Sequence, residues 1–210
     1  MAMALAFILC LVNLGISFWN ARVTGQCWAE SKAVGGWIRI LVWCGAIQAA
    51  IGFSSVYMFL LSIVCVITGI LPASTLSVAN ALFYLLIIVP ALGTGLIIMI
   101  QSWISLYRER SLANLGGAAW NTFAMAYNTY NAVTSIGQAV DIVSNQFGDM
   151  HDDDGDSDDN NARIILLVVF ALLAGILTTY AIIRRYEASL PVSEEVREAQ
   201  AKGTRDLNFR

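Results

Sequence analysis

Charge is what this chain has least of. Only 13% of its 210 residues are Asp, Glu, Lys or Arg, against 58% hydrophobic residues, whereas a soluble domain is about a quarter charged. Residues 1–21, 40–107 and 164–183 carry no charge at all. Uncharged apolar runs of about 20 residues are long enough to cross a bilayer. An ordinary soluble domain is therefore excluded, and the fold class read from the sequence is all-α, a multi-pass transmembrane helical bundle.

Histidine is nearly missing. His151 is the only one, so no His pair can hold a metal and no second histidine can complete a catalytic dyad. H-E-x-x-H, G-x-S-x-G, P-loop and G-x-G-x-x-G patterns are absent. Gly52-Phe53-Ser54-Ser55-Val56 only begins like a serine elbow, and no acidic pair sits within the apolar runs. These absences argue against an enzyme and against any bound cofactor. The four cysteines, Cys10, Cys27, Cys44 and Cys65, show no C-x-x-C spacing. They read as small apolar side chains rather than a metal or disulfide framework. Basic residues stand singly or in pairs beside the apolar runs, which excludes a nucleic-acid patch.

What is present falls into spans. Residues 2–19 form a first membrane helix; they lack the basic n-region and the A-x-A site of a cleaved signal. Trp19 and Trp28 suit the headgroup level. A polar link over 20–36, with Arg22, Glu30 and Lys32, is expected to break at Gly35-Gly36. A second helix covers about 38–70. Residues 40–70 alone come to about 46 Å of straight helix, more than the hydrocarbon core of about 30 Å, so tilt, projection or a bend at Gly52-Phe53-Ser54-Ser55 is expected. A tight turn near Pro72 makes an antiparallel hairpin with a third helix, about 76–106, which Pro90 should bend. The last clear span is 164–183, closed by Arg184, Arg185 and Tyr186. A polar tail over 186–210 follows, with a short helix expected after Pro191.

Between the third and last spans lies an unusual segment, about 118–147. Trp120, Phe123, Tyr127, Tyr130, Ile136, Val140, Val143 and Phe147 recur mostly at helical spacing, which describes an amphipathic helix. Its other face holds Asn121, Asn128, Asn131, Ser135 and Gln138, neutral groups where a water-exposed helix carries Lys, Glu and Arg. This helix either crosses as a fifth span or lies on the membrane surface. Four spans misplace a block of basic residues whichever way the chain is oriented. Five place Arg22, Lys32, Arg39, Arg108, Arg110, Arg184 and Arg185 on one side, as the positive-inside rule asks.

Seven of the 15 acidic residues fall between Asp149 and Asp159, inside an expected acidic loop over 148–162. Aligned on Gly155, Asp152 and Asp154 take the third and fifth places of an EF-hand loop. Met150 and Asn161 then occupy the first and twelfth, so that match fails. A solvated loop is the plainer reading, with loose divalent-cation binding by Asp152, Asp154, Asp156 and Asp158 the alternative.

Gly45/Ala49, Ala91/Gly95 and Ala171/Gly175 are small-xxx-small pairs suited to close helix packing. Asn13 and Gln48 read as interhelical hydrogen-bond partners. The functional expectation is a non-enzymatic structural or assembly subunit of a homo- or hetero-oligomeric complex, with the lipid bilayer and other membrane subunits as partners. The alternative is a channel or pore subunit, with Asn121, Asn128, Asn131, Ser135 and Gln138 lining water.

Overall fold

The computed structural model describes residues 2–148 and 156–189. Five helices account for nearly all of them: α1 (Ala2–Val34), α2 (Gly36–Thr68), α3 (Ala73–Arg108), α4 (Leu112–Gly148) and α5 (Asp156–Ser189). Among the described residues there is no strand. Four of the helices, α1, α2, α3 and α5, are long and apolar enough to cross a membrane.

The connections follow from local chemistry. Gly35 and Gly36 take φ of 69° and 58°, and Gly69 caps α2 at φ 65°. These are left-handed conformations that a side chain disfavours and glycine accepts. Pro72, extended at φ −62°, then precedes α3, where its missing N–H is no loss. Only three residues, Glu109 to Ser111, separate α3 from α4. The Ser111 hydroxyl accepts from the Asn114 N–H at 3.1 Å, a serine N-cap.

Such short links force neighbouring helices to run antiparallel, and the cross-helix contacts agree. Trp28 meets Trp43 edge to face, with ring centroids 5.1 Å apart, and Asn13 reaches Gly52, tying α1 to α2. Trp37 bonds Gln101 and Asn80 bonds Ser62, tying α2 to α3. Trp103 bonds Thr122 and Tyr84 bonds the Asn131 carbonyl, tying α3 to α4. Beyond these, Ile142 and Phe147 of α4 pack on the core cluster that includes Val78, Ala79 and Phe83 near the start of α3. Thus α4 lies against α3 from one end to the other. The last helix, α5, slots antiparallel beside α2, where Tyr57 meets Thr178 at 2.8 Å.

Three expectations need correction. Residues 20–36 are not a link: α1 stays helical to Val34, burying Ala21, Thr24 and Ser31. A helix that outruns the hydrocarbon core carries Arg22, Glu30 and Lys32 on its projecting turns without breaking. The neutral helix begins at Leu112, earlier than 118. The acidic loop expected over 148–162 is shorter, because α5 starts at Asp156. Acidic residues in a first turn favour the helix macrodipole, and Asp159 bonds Arg163 one turn on at 2.6 Å. The tail beyond Ser189, including the helix expected after Pro191, lies outside the described residues.

Tight packing uses the small residues. A Cβ on Gly52 would overlap the Ser17 hydroxyl, and one on Gly175 would overlap Ser54 and lie 2.8 Å from the Ala50 carbonyl. Helix α2 is unbroken at Gly52; the glycine serves as the contact point for α1. Gly45 faces Thr24, Ala49 and Ala171 are fully buried, and Gly95 faces Met125. All three small-residue pairs therefore lie at helix contacts inside the chain. The largest core cluster joins Met58, Val78, Ala79 and Phe83 to Ile164, Val168 and Ala171 of α5.

Candidate functional site

Helix α1 carries a polar stripe: Asn13, Ser17, Asn20 and Thr24 recur at steps of three and four, so they share one face. That face turns into the bundle. Opposite it stand Gln48 and Ser55 of α2, Tyr84 of α3, and Asn128 and Asn131 of α4. With Asn13, Ser17 and Asn20 of the stripe they line a cavity of about 270 Å³ between the four helices. The aromatic face of α4 points outward instead: Trp120, Phe123, Tyr127 and Tyr130 are exposed. Asn121, Asn128 and Asn131 turn toward the bundle, whereas Gln138, Asp141 and Asn145 further along α4 are exposed.

Several lining groups are held by the protein. The Asn13 amide donates to the Gly52 carbonyl at 3.2 Å, and Ser17 donates to the Asn13 carbonyl at 2.7 Å. Gln48 donates to the Ala91 carbonyl at 2.8 Å and to Thr94 Oγ1 at 2.7 Å. Thr94 itself donates to the carbonyl of Pro90 at 2.6 Å, so α3 carries extra bonds at its proline. Tyr84 donates to the Asn131 carbonyl at 3.1 Å. The side-chain amides of Asn20, Asn128 and Asn131 are different: no hydrogen bond engages them among the described residues. Among the described residues, no Asp, Glu, Lys, Arg or His lines the cavity. It is polar, uncharged and supplied with free donors and acceptors.

A second cavity of about 380 Å³ lies toward the end of the bundle where α1 and α3 finish and α2 and α4 begin. Its polar lining is Asn20, Thr24, Gln101, Ser102 and Asn121. Asn20 lines both cavities, so polar groups continue from that end to the middle of the bundle.

Of the residues singled out from sequence, Asn128 and Asn131 meet in the first cavity and Asn121 lines the second. Ser135 is half-buried and lines neither cavity. Gln138 is exposed and lines neither cavity. Asp152 and Asp154 lie outside the described residues, and Asp156 and Asp158 fall in the first turn of α5. Among the described residues, no group of three His, Cys, Asp or Glu side chains is placed to hold a metal. Asn13 and Gln48 do bond across helices, as expected, and also line the cavity. Asn20, Ser17 and Tyr84 were not singled out from the sequence. The helical spacing of polar residues through 13–24 is the signal that finds the first two.

No protein family, curated protein or solved structure matches the chain.

Proposed function

We propose that this chain is a non-enzymatic membrane protein that takes small uncharged polar solutes, water included, into the cavity between α1, α2, α3 and α4. One observation carries the reading: the carboxamides of Asn20, Asn128 and Asn131 line a cavity that, among the described residues, has no charged group and offers them no hydrogen-bond partner. An unpaired amide in an apolar surround costs roughly 1–3 kcal/mol by protein measures, and backbone and side-chain polar groups at membrane depth are tolerated where they line water. A neutral solute bearing hydroxyl or amide groups offsets that cost. In this reading the channel lies within one chain rather than between subunits, and α4 is a fifth crossing, because it accompanies α3 from end to end.

The test is solute flux into proteoliposomes of the full chain, followed by stopped-flow light scattering with water, urea and glycerol. Flux above that of empty liposomes, reduced several-fold in Asn128→Leu, is expected. Flux equal to empty liposomes for all three solutes overturns the proposal.

An assembly role has its own support. Tyr127 and Tyr130 sit midway along α4 with exposed rings, and Phe123 stacks on Tyr127 at 6.4 Å. Tyrosine favours the membrane interfaces, so hydroxyls at mid-depth point to another protein surface. A second subunit placed against this aromatic face would cover them.

A further inference from the structure

At the end of the bundle where α5 finishes, α1, α2 and α5 enclose a groove of about 530 Å³, within the roughly 300–1,000 Å³ of ligand pockets. It belongs to neither polar cavity. Its depth is apolar, formed by Ile47, Ala50 and Ile176, and its lateral side is open: Trp43, Ile176 and Tyr180 are about half exposed. Its mouth is basic. Lys32 and Arg184 line it, and both bond the same acid, Glu187, at 3.0 and 2.9 Å. Two cations on one anion leave a net positive charge. Each base commits one N–H to Glu187, so further donors remain on both. Arg22 adds to the positive field nearby, stacked over Tyr186 at 5.5 Å.

A second observation lies between mouth and depth. Thr179 lines the groove and is 3% exposed, and its hydroxyl oxygen is buried without a hydrogen-bond partner among the described residues. Most threonines in these helices donate to a carbonyl one turn back, as Thr68, Thr94, Thr122, Thr129 and Thr134 do. Thr179 does not. Along α5 it stands about 7.5 Å below Arg184, one step deeper than the basic mouth.

We propose that this groove binds an anionic phospholipid. The phosphate sits at Lys32 and Arg184, the ester region meets the Thr179 hydroxyl, and one acyl chain lies along Ile47, Ala50 and Ile176. The order of chemistry, cation then hydroxyl then hydrocarbon, matches a phospholipid read from headgroup to tail. Trp28 and Trp43 at the mouth mark headgroup depth. Basic pockets between membrane helices are a recurrent way to hold anionic headgroups. Nothing in this assignment depends on the solute proposal.

Native mass spectrometry of the full chain, released from nanodiscs of equal phosphatidylglycerol and phosphatidylcholine with matched acyl chains, tests it. Phosphatidylglycerol should be retained at least tenfold over phosphatidylcholine. Lys32→Gln with Arg184→Gln should bring that ratio within twofold, and Ala50→Phe should lower retention of both lipids. Glycerol 3-phosphate at millimolar concentration should fail to displace the bound lipid. Equal retention of the two lipids by the unaltered chain overturns the proposal, and needs no variant to fold. A ratio unchanged in the double variant also overturns it, as does displacement by glycerol 3-phosphate, which would show that the acyl groove contributes nothing.

Discussion

The side-chain amide of Asn13 donates to the carbonyl of Gly52, 3.2 Å away and 39 positions along the chain. At the same point the Ser17 hydroxyl occupies the space a Cβ on Gly52 would take. One missing side chain thus lets two helices touch and lets an amide reach a backbone oxygen. Gly52→Val should force α1 and α2 apart and cost about 1–3 kcal/mol, the usual range for overpacking. Asn13→Leu should cost less, about 0.6 kcal/mol, typical of one interhelical hydrogen bond in a membrane. Thermal denaturation in one detergent, followed by circular dichroism, ranks the two. The reverse order would show that the amide, not the close approach, holds α1.

Asn128→Leu should separate stability from function. The native carboxamide has no protein partner, so a leucine there removes an unmet polar group and fills space. Stability should hold or rise by about 1 kcal/mol while flux falls. A destabilised variant would show that Asn128 has a bonding role in the fold.

Helix α4 should cross the membrane. Single cysteines at Glu109 and Ser157, in a background without the four native cysteines, should react with an impermeant thiol reagent from opposite sides. With basic flanks kept inside, Ser157→Cys reacts in intact cells and Glu109→Cys only after permeabilisation. Labelling of both from one side would put α4 on the surface.

If the aromatic face of α4 is an interface, the purified chain should not run as a monomer. Mass photometry in mild detergent should give a multiple of the chain mass. Tyr127→Lys should shift the population to monomer without lowering helix content. A monomer from the unaltered chain would leave Tyr127 and Tyr130 facing lipid and sink the assembly reading.

Much of the architecture was legible because the membrane leaves so few options. Absence of charge marked α2, α3 and most of α5, and Gly35, Gly36 and Pro72 marked where the chain turns. The spacing of Trp120, Phe123, Tyr127 and Tyr130 against Asn121, Asn128 and Asn131 marked a two-faced helix. Periodicity alone does not tell which face is outermost, because a bilayer inverts the sense that water imposes. Arg22, Glu30 and Lys32 suggested a loop, since charge in short apolar proteins usually marks one; here α1 runs past the hydrocarbon and keeps them on helix. Asn20 was hidden by the same misreading, though it joins the two cavities. Gly52 looked like a hinge because local sequence says nothing about Ser17 lying opposite.

Helix α5 is synthesised after α1 to α4, and Ile164, Val168 and Ala171 complete the largest core cluster, while Gly175 nests against Ser54 of α2. Until the ribosome has passed residue 175, the first four helices have no partner for that side of α2. The cluster around Met58 and Val78 then lacks its α5 members, and the Ser54 hydroxyl lacks the Leu172 carbonyl to which it donates. A chain interrupted after α4 would enter the bilayer with this seam open, a ready mark for quality-control proteases. The seam would then close only when α5 arrives, at a time set by its own translation rather than by the hairpins that precede it.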